Sequence, residues 1–205
     1  MKFKLVAILI AVLAAAGLLG FKQPTLEKKL ARLEPELNER IQKREIQIDA
    51  AELLSLINNN NVGLSILDVR DETDFNLFHI ADSKLVTMAQ VRNSGWVGKL
   101  PARTILVLVS NDEQRAAEAW KLLTAQKVIN LYILEGGINR WLEIYGHMAA
   151  SSEPAAEDTL RYSFSAALGA KNPASDPDPA HVPERKYTKK VKSIGGAARK
   201  SGGCG

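Results

Sequence analysis

Residues 104–115 read TILVLVSNDEQR. Thr104–Val109 is a continuous apolar, β-branched run, the pattern of a strand buried on both faces. Ser110–Arg115 is a short polar loop. From Glu113 the chain (EQRAAEAWKLLTAQ) places Ala116, Ala117, Trp120 and Leu123 on one helical face. A strand that feeds a tight loop into a helix N-terminus aims several backbone amides at one point, which makes an anion cradle. The residue types in the loop then decide its chemistry. The first is Ser110, and no cysteine stands near it.

Working outward, the flanking sequence alternates strands and helices on short connections. Glu45–Ile48 reads as a strand. Asp49-Ala50-Ala51-Glu52 has the form of a capping box opening a helix through Ile57. Leu64–Leu67 is a strand that runs into Asp68-Val69-Arg70, and Glu72–Leu77 is a short helix before His79-Ile80. Lys84–Val86 is a strand and Thr87–Arg92 a helix. Beyond the central unit, Leu131–Leu134 is a strand, Gly136-Gly137 a turn and Ile138–Tyr145 a helix. This order predicts an α/β domain over 45–147, with a parallel sheet flanked by helices on both faces.

Composition bounds the rest. The chain has 205 residues, 46% of them hydrophobic, with a formal net charge of +4. That is room for one domain plus appendages. From Arg185 on, Arg185, Lys186, Lys189, Lys190, Lys192, Arg199 and Lys200 are unaccompanied by any acid. No basic stripe interleaved with aromatics occurs, so nucleic acid is not an expected partner. Cys204 is the single cysteine, which excludes an internal disulfide framework and a cysteine-based zinc site. No metal and no cofactor is expected.

Met1–Lys4 is short and basic, and Leu5–Phe21 is apolar and uncharged, at the lower length for spanning a bilayer. Residues 1–21 read as a signal peptide with small residues at Ala14-Ala15-Ala16, or as an uncleaved anchor. The apolar run continues through Leu18, Leu19 and Phe21, which favours the hydrophobic anchor helix. The expected layout is a single-pass membrane protein with its domain outside the cytoplasm, or a secreted protein after cleavage. Residues 22–44 are highly charged, with Leu26, Leu30 and Leu33 at helical spacing before Pro35. They read as a helical stalk, broken at the proline.

Residues 148–205 form a tail that shifts from small and acidic (148–158) to a candidate short helix at Thr159–Leu168. A Pro-rich stretch with Pro173, Pro177, Pro179 and Pro183 comes next, then a basic and Gly-rich end. Its composition predicts disorder. The chain ends Ser-Gly-Gly-Cys-Gly, and nearby Arg199 and Lys200 favour the Cys204 thiolate.

Three blocks within Asp49–Gly146 resemble the rhodanese homology domain. Leu67-Asp68-Val69-Arg70 with Phe75 and His79-Ile80 is similar to the family's Asp-x-Arg and Gly-His-Ile-Pro-Gly-Ala segments. The six-residue loop Ser110–Arg115 is similar to its Cys-x-x-Gly-x-Arg. Leu134-Glu135-Gly136-Gly137-Ile138-Asn139-Arg140-Trp141 fits its Leu-x-Gly-Gly-x-x-x-Trp throughout. The resemblance implies the family's sheet. It also implies a loop in which a cysteine carries a persulfide held by amides and an arginine. Here Ser110 stands at that cysteine and Glu113 at the loop glycine, and Ala81-Asp82-Ser83 follows the His-Ile pair. A serine hydroxyl forms no persulfide, so sulfurtransferase activity is not expected from this loop.

Ser110 and Glu113 also fit the capping-box pattern Ser-x-x-Glu. The other readings are an anion pocket retained by Ser110, Asn111, Asp112, Glu113, Gln114 and Arg115, and Ser110 as a nucleophile. Asp68 and Arg70 read as an internal ion pair, His79 as a packed histidine, Gly136-Gly137 as a tight turn, and Trp120 and Trp141 as core anchors. The Cys204 ending is similar to the cysteine-bearing arms of sulfur-oxidation carrier proteins. That resemblance implies a swinging sulfur acceptor and a sulfur-metabolism protein as partner. An incidental, dimerising or lipid-bearing cysteine is the alternative. A flexible chain of 58 residues from Gly146 would reach ~40 Å. A further alternative folds Cys204 back to the Arg115 pocket as the missing nucleophile, and another makes the protein an inert interaction scaffold.

Overall fold

A computed structural model describes residue 3, residues 24–146, 158–159 and 184–192, and the backbone of 174–175. The proposed anchor apart from Phe3, the candidate helix at Thr159–Leu168 beyond its first residue, and Cys204 lie outside the described residues. Among the described residues, no helix is long and apolar enough to cross a membrane.

The apolar run becomes β5 (Ile105–Val109), the centre of a five-stranded sheet. Its order is β1 (Gln47–Ile48), β6 (Leu131–Leu134), β5, β2 (Leu64–Asp68), β4 (Lys84–Leu85), every pairing parallel. All five β5 side chains are buried. Their alternation divides them: Ile105, Val107 and Val109 enter the core on one face, Leu106 and Leu108 on the other. The first face carries α2 (Ala50–Ile57) and α7 (Gly137–Tyr145), with Trp141 buried against Tyr145 edge to face. The second carries α4 (Met88–Arg92) and α6 (Gln114–Ala125), anchored by Trp120, whose Nε1 donates to the Leu131 carbonyl at 3.1 Å. The expected α/β architecture with a parallel sheet is therefore present. A helix at α3 (Glu72–Leu77) leads into β3 (His79–Ile80), which pairs with β7 (Ala174–Ser175), and α5 (Ser94–Val97) follows α4.

Two expectations are corrected. The charged stalk is a helix of the domain itself, α1 (Leu26–Gln42), and it continues through Pro35. Pro35 is exposed, so the carbonyl left without its helical donor meets water and the helix does not break. Leu26, Leu30, Leu33, Leu37 and Ile41 pack on the α6 side of the core, and Leu37 is 2% exposed. Asn38 and Arg40 add contacts to α6: Lys121 Nζ donates to Asn38, and the Arg40 guanidinium lies over the Trp120 ring.

Residues 184–192 of the supposed disordered tail lie as a strap on the other face. Val191 is 4% exposed and belongs to the α2/α7 core. Its burial contributes about 2 kcal/mol at full transfer. Glu52 Oε1 accepts from the Lys190 and Val191 amides at 2.9 and 2.7 Å. Arg185 pairs with Asp49 at 2.8 Å, and Lys190 Nζ donates to the Arg44 carbonyl at 2.7 Å. The Asp49-x-x-Glu52 capping box is thereby replaced. Asp49 caps α2 through the Ala51 amide, while Glu52 serves the strap. Composition missed this because a single buried valine and one carboxylate give no periodic signal.

Candidate functional site

Parallel strands end together, so the loops after β2, β5 and β6 meet at the carboxyl edge of the sheet, where open α/β sheets place their ligands. The register aligns Asp68 with Val109. That alignment sets the Asp68-Val69-Arg70 turn beside the Ser110–Arg115 loop, and β6 delivers Gly136-Gly137 to the same edge.

Asp68 and Arg70 form a fully buried ion pair, with Nη2–Oδ2 at 2.8 Å and Nε within 3.1 Å of both carboxylate oxygens. The guanidinium also donates to the Phe78 carbonyl at 2.6 Å and to Asn111 Oδ1 at 3.2 Å. The pair therefore orders three segments. Asn111 passes the contact on, its Nδ2 donating to Asp74 Oδ2 at 2.6 Å.

The turn after β6 is docked on the loop through backbone. Ile138 and Asn139, in the first turn of α7, donate to the carbonyls of Ser110 and Asn111 at 2.9 Å each. Gly136 and Gly137 both adopt positive φ, +66° and +59°. A Cβ on Gly137 would lie 2.1 Å from the Asp112 carbonyl oxygen. The glycine pair is a condition of the docking.

The expected Ser110–Glu113 capping box does not form. The α6 N-cap is Glu113, whose side chain makes no cap bond. Ser110 is fully buried, and its Oγ accepts from the Ala116 amide at 3.2 Å. Glu113 turns out of the loop to a bidentate pair with Arg44, at 2.6 and 2.8 Å, and accepts from the Gly136 amide at 2.7 Å. Asp112 replaces them as the cap, its Oδ1 accepting from the Glu113 and Gln114 amides. Arg115 points away, to Asp71 at 2.8 Å. Because the Ser110 bond is an ordinary neutral one, Ser110→Ala should cost about 1 kcal/mol. A chemical denaturation midpoint unchanged from the parent would contradict that role.

A third loop amide is taken from a distance. Asp112 N donates to Asp158 Oδ1 at 3.2 Å, and Asp158 N donates to Asp112 Oδ2 at 2.7 Å. Asn111 Nδ2 donates to the Asp158 carbonyl at 2.9 Å, and Asn139 Nδ2 to the Thr159 carbonyl at 2.7 Å. Burial and the facing Asp112 carboxyl push Asp158 up to about 6. Burial pushes Asp112 up as well, but amides of Gln114, Asp158 and Glu113 hold it below the ordinary carboxylate range. The pair thus keeps one proton up to about pH 6. A carboxyl raised in the folded state stabilises below its unfolded value and loses that contribution as pH rises through its folded value. Hydrogen exchange at the Asp112 amide should therefore accelerate between pH 4 and 7 beyond the intrinsic rate, and Asp158→Asn should remove the excess. An unchanged excess in Asp158→Asn would contradict this.

His79 is a packed side chain, its ring stacked on Phe75 at 3.9 Å with Nδ1 2.9 Å from the Phe75 carbonyl. Among the described residues, no cluster of His, Cys, Asp and Glu could hold a metal ion. The structure brings together Asp68, Arg70, Ser110, Asn111, Asp112, Glu113 and Gly137. Arg44, Asp74, Asn139 and Asp158 also belong to this edge and were not legible as such. Arg44 and Asp158 stand in polar connecting sequence, and Asn139 occupies an unspecified position of the Leu134–Trp141 block.

A family model described as a rhodanese-like domain matches residues 49–144. No curated protein matches the chain. Among solved structures, a rhodanese-related protein from Thermoplasma volcanium is 26% identical over 48% of this chain and 91% of its own, with a TM-score of 0.42. A rhodanese-like domain protein from Staphylococcus aureus is 24% identical over 47% and 90%, with a TM-score of 0.40. The rhodanese-like domain of an Anabaena protein is 20% identical over 58% and 96%, with a TM-score of 0.43.

Proposed function

We propose, from the rhodanese-like domain that the chain carries at residues 49–144, that the protein is a binding module whose own loop transfers no sulfur. One observation carries the reading. Three successive loop amides and the Ser110 hydroxyl, groups that would serve a persulfide, are already engaged. Ser110 stands where the resemblance puts the cysteine, is fully buried, and spends its Oγ on Ala116. The amides of Asp112, Glu113 and Gln114 are held by carboxylates. An anion entering the loop would meet Asp112 and Asp158 in place of open donors. Among the described residues no thiolate lies in the loop and no base is bonded to Ser110, so nucleophilic chemistry has no starting group there.

Sulfur carriage is then assigned to Cys204, the only thiol of the chain. A sulfur-metabolism protein is its partner, and residues 1–21 tether the module to a membrane with the domain outside the cytoplasm. The strap at 184–192 fixes the chain to the domain twelve residues before Cys204, so its reach counts from Lys192 rather than from Gly146.

The test is two assays on the full chain in detergent. Thiosulfate and cyanide should give no thiocyanate above the uncatalysed rate. A persulfide donor should add one sulfur atom to the intact mass, reversed by reductant and absent in Cys204→Ser. Turnover lost in Ser110→Ala would overturn the inert loop, and turnover lost in Cys204→Ser would favour the enzyme alternative. A parent chain that gains no sulfur would remove the carrier role.

A further inference from the structure

The Asp158–Thr159 contact is chemically unlike the rest of the site. Asp68 and Arg70 are opposite charges with every hydrogen bond complementary. Asp158 instead sets its carboxyl against that of Asp112 across reciprocal amide bonds. It does so in the left-handed region, at φ +57°. Asparagine is among the non-glycine residues that best tolerate that conformation. An asparagine amide there would keep the acceptor for the Asp112 amide and give Asp112 Oδ2 a neutral donor. The burial and like-charge contact that raise Asp158 to about 6 would vanish with the charge. The two carbonyls, of Asp158 and Thr159, are read by Asn111 and Asn139 through main-chain atoms that any sequence supplies. Beside Asp158 the surface opens into a recess of about 640 Å³, lined by Asn38, Ile41, Arg115 and Lys121 among others.

We infer that this edge is a peptide-docking site, occupied in cis by Asp158–Thr159, whose better ligand is a partner segment with asparagine in the Asp158 position. The hydrogen bonds of Asn111, Asp112 and Asn139 to this segment define the recognition. Two asparagine side chains hold consecutive carbonyls, and the Asp112 amide and carboxylate hold one side chain and its own amide. The cis segment is a displaceable occupant above pH 6, because its ionised carboxylate then faces Asp112. This inference rests on the reading of the domain as a binding module and names its ligand class.

The probe is a fluorescein-labelled synthetic peptide of residues 154–163 with asparagine in place of the aspartate, PAAENTLRYS, titrated by anisotropy at pH 7.5 with the full chain. Asp158→Pro, whose ring forbids the φ of +57° and removes the N–H that Asp112 accepts, vacates the site and should bind it at least tenfold more tightly than the parent. Asp158→Asn, which reinforces the cis contact, should bind it at least tenfold more weakly. Adding Asn139→Ala to Asp158→Pro should reverse the gain, with an unchanged melting temperature showing that the fold is intact. If that double variant melts lower, the Asp158→Pro and Asp158→Asn pair decides alone, since neither touches the core. Equal binding by the parent and both single variants, or no binding by Asp158→Pro, overturns the inference. Thiocyanate production is read separately. A chain that binds no peptide and turns over no thiosulfate loses only this site, whereas turnover removes the non-catalytic reading whatever the peptide does.

Discussion

Gly137→Ala should unfold the domain or lower its stability by about 4 kcal/mol or more, the range in which single substitutions are diagnostic of a named defect. The added Cβ would sit 2.1 Å from the Asp112 carbonyl oxygen and 2.3 Å from that of Ser110. Neither atom can move independently, because the Ser110 carbonyl accepts from Ile138 and the loop around Asp112 is bonded on several sides. The φ of +59° adds about 1–2 kcal/mol for any residue with a Cβ. Gly136→Ala is the comparison. It shares a positive φ, and its Cβ would lie 2.6 Å from the Arg140 Cβ, which the helix backbone holds, so it too should destabilise, but without touching the loop carbonyls. Thermal melts should show the larger loss at Gly137, where two backbone carbonyls block the added carbon from closer range. Equal, small losses would mean that the loop carbonyls shift without cost, and the docking described above would be wrong.

Arg70→Met should cost about 3–5 kcal/mol, the usual result of stripping one partner from a buried ion pair. Asp68 would be left fully buried and charged, the Phe78 carbonyl would lose its bond from Arg70, and Asn111 would lose the group that aims it. The double variant Asp68→Asn/Arg70→Met removes the orphaned charge and should recover a large part of the loss, so the cycle should show strong coupling. Additive losses in urea titrations would show that the two side chains act separately. Because Asn111 also holds the Asp158 carbonyl, Arg70→Met should in addition loosen that segment, visible as faster exchange at the Asp158 amide.

Much of the site's framework was written locally. The run at Ile105–Val109, the Gly136-Gly137 turn and the Asp68-x-Arg70 pair each follow from a residue's own preferences or from partners two positions apart. Periodicity and turn chemistry act over a few residues, so they survive reading in one dimension. The same logic failed at Ser110 and Glu113, whose spacing matches a capping box as well as any real one. Their side chains were taken by better partners: Ala116 for Ser110, and Arg44, 69 residues away, for Glu113. A capping bond gains little against a bidentate guanidinium pair, and only the folded chain shows that the pair is within reach. Leu26–Gln42 repeats the lesson, since its leucine stripe is visible in sequence but the α6 surface that covers it is not.

Strand alternation, helical spacing and glycine's conformational freedom are properties of short stretches, so the order of strands and helices, the parallel sheet and the glycine turn are legible along the chain. Which groups hold the loop is settled only when distant segments meet. Arg44, Asp158 and the strap at 184–192 reach it or its neighbours from 46 residues or more along the chain, and long-range hydrogen bonds and ion pairs are chosen by proximity after folding, which no local pattern encodes.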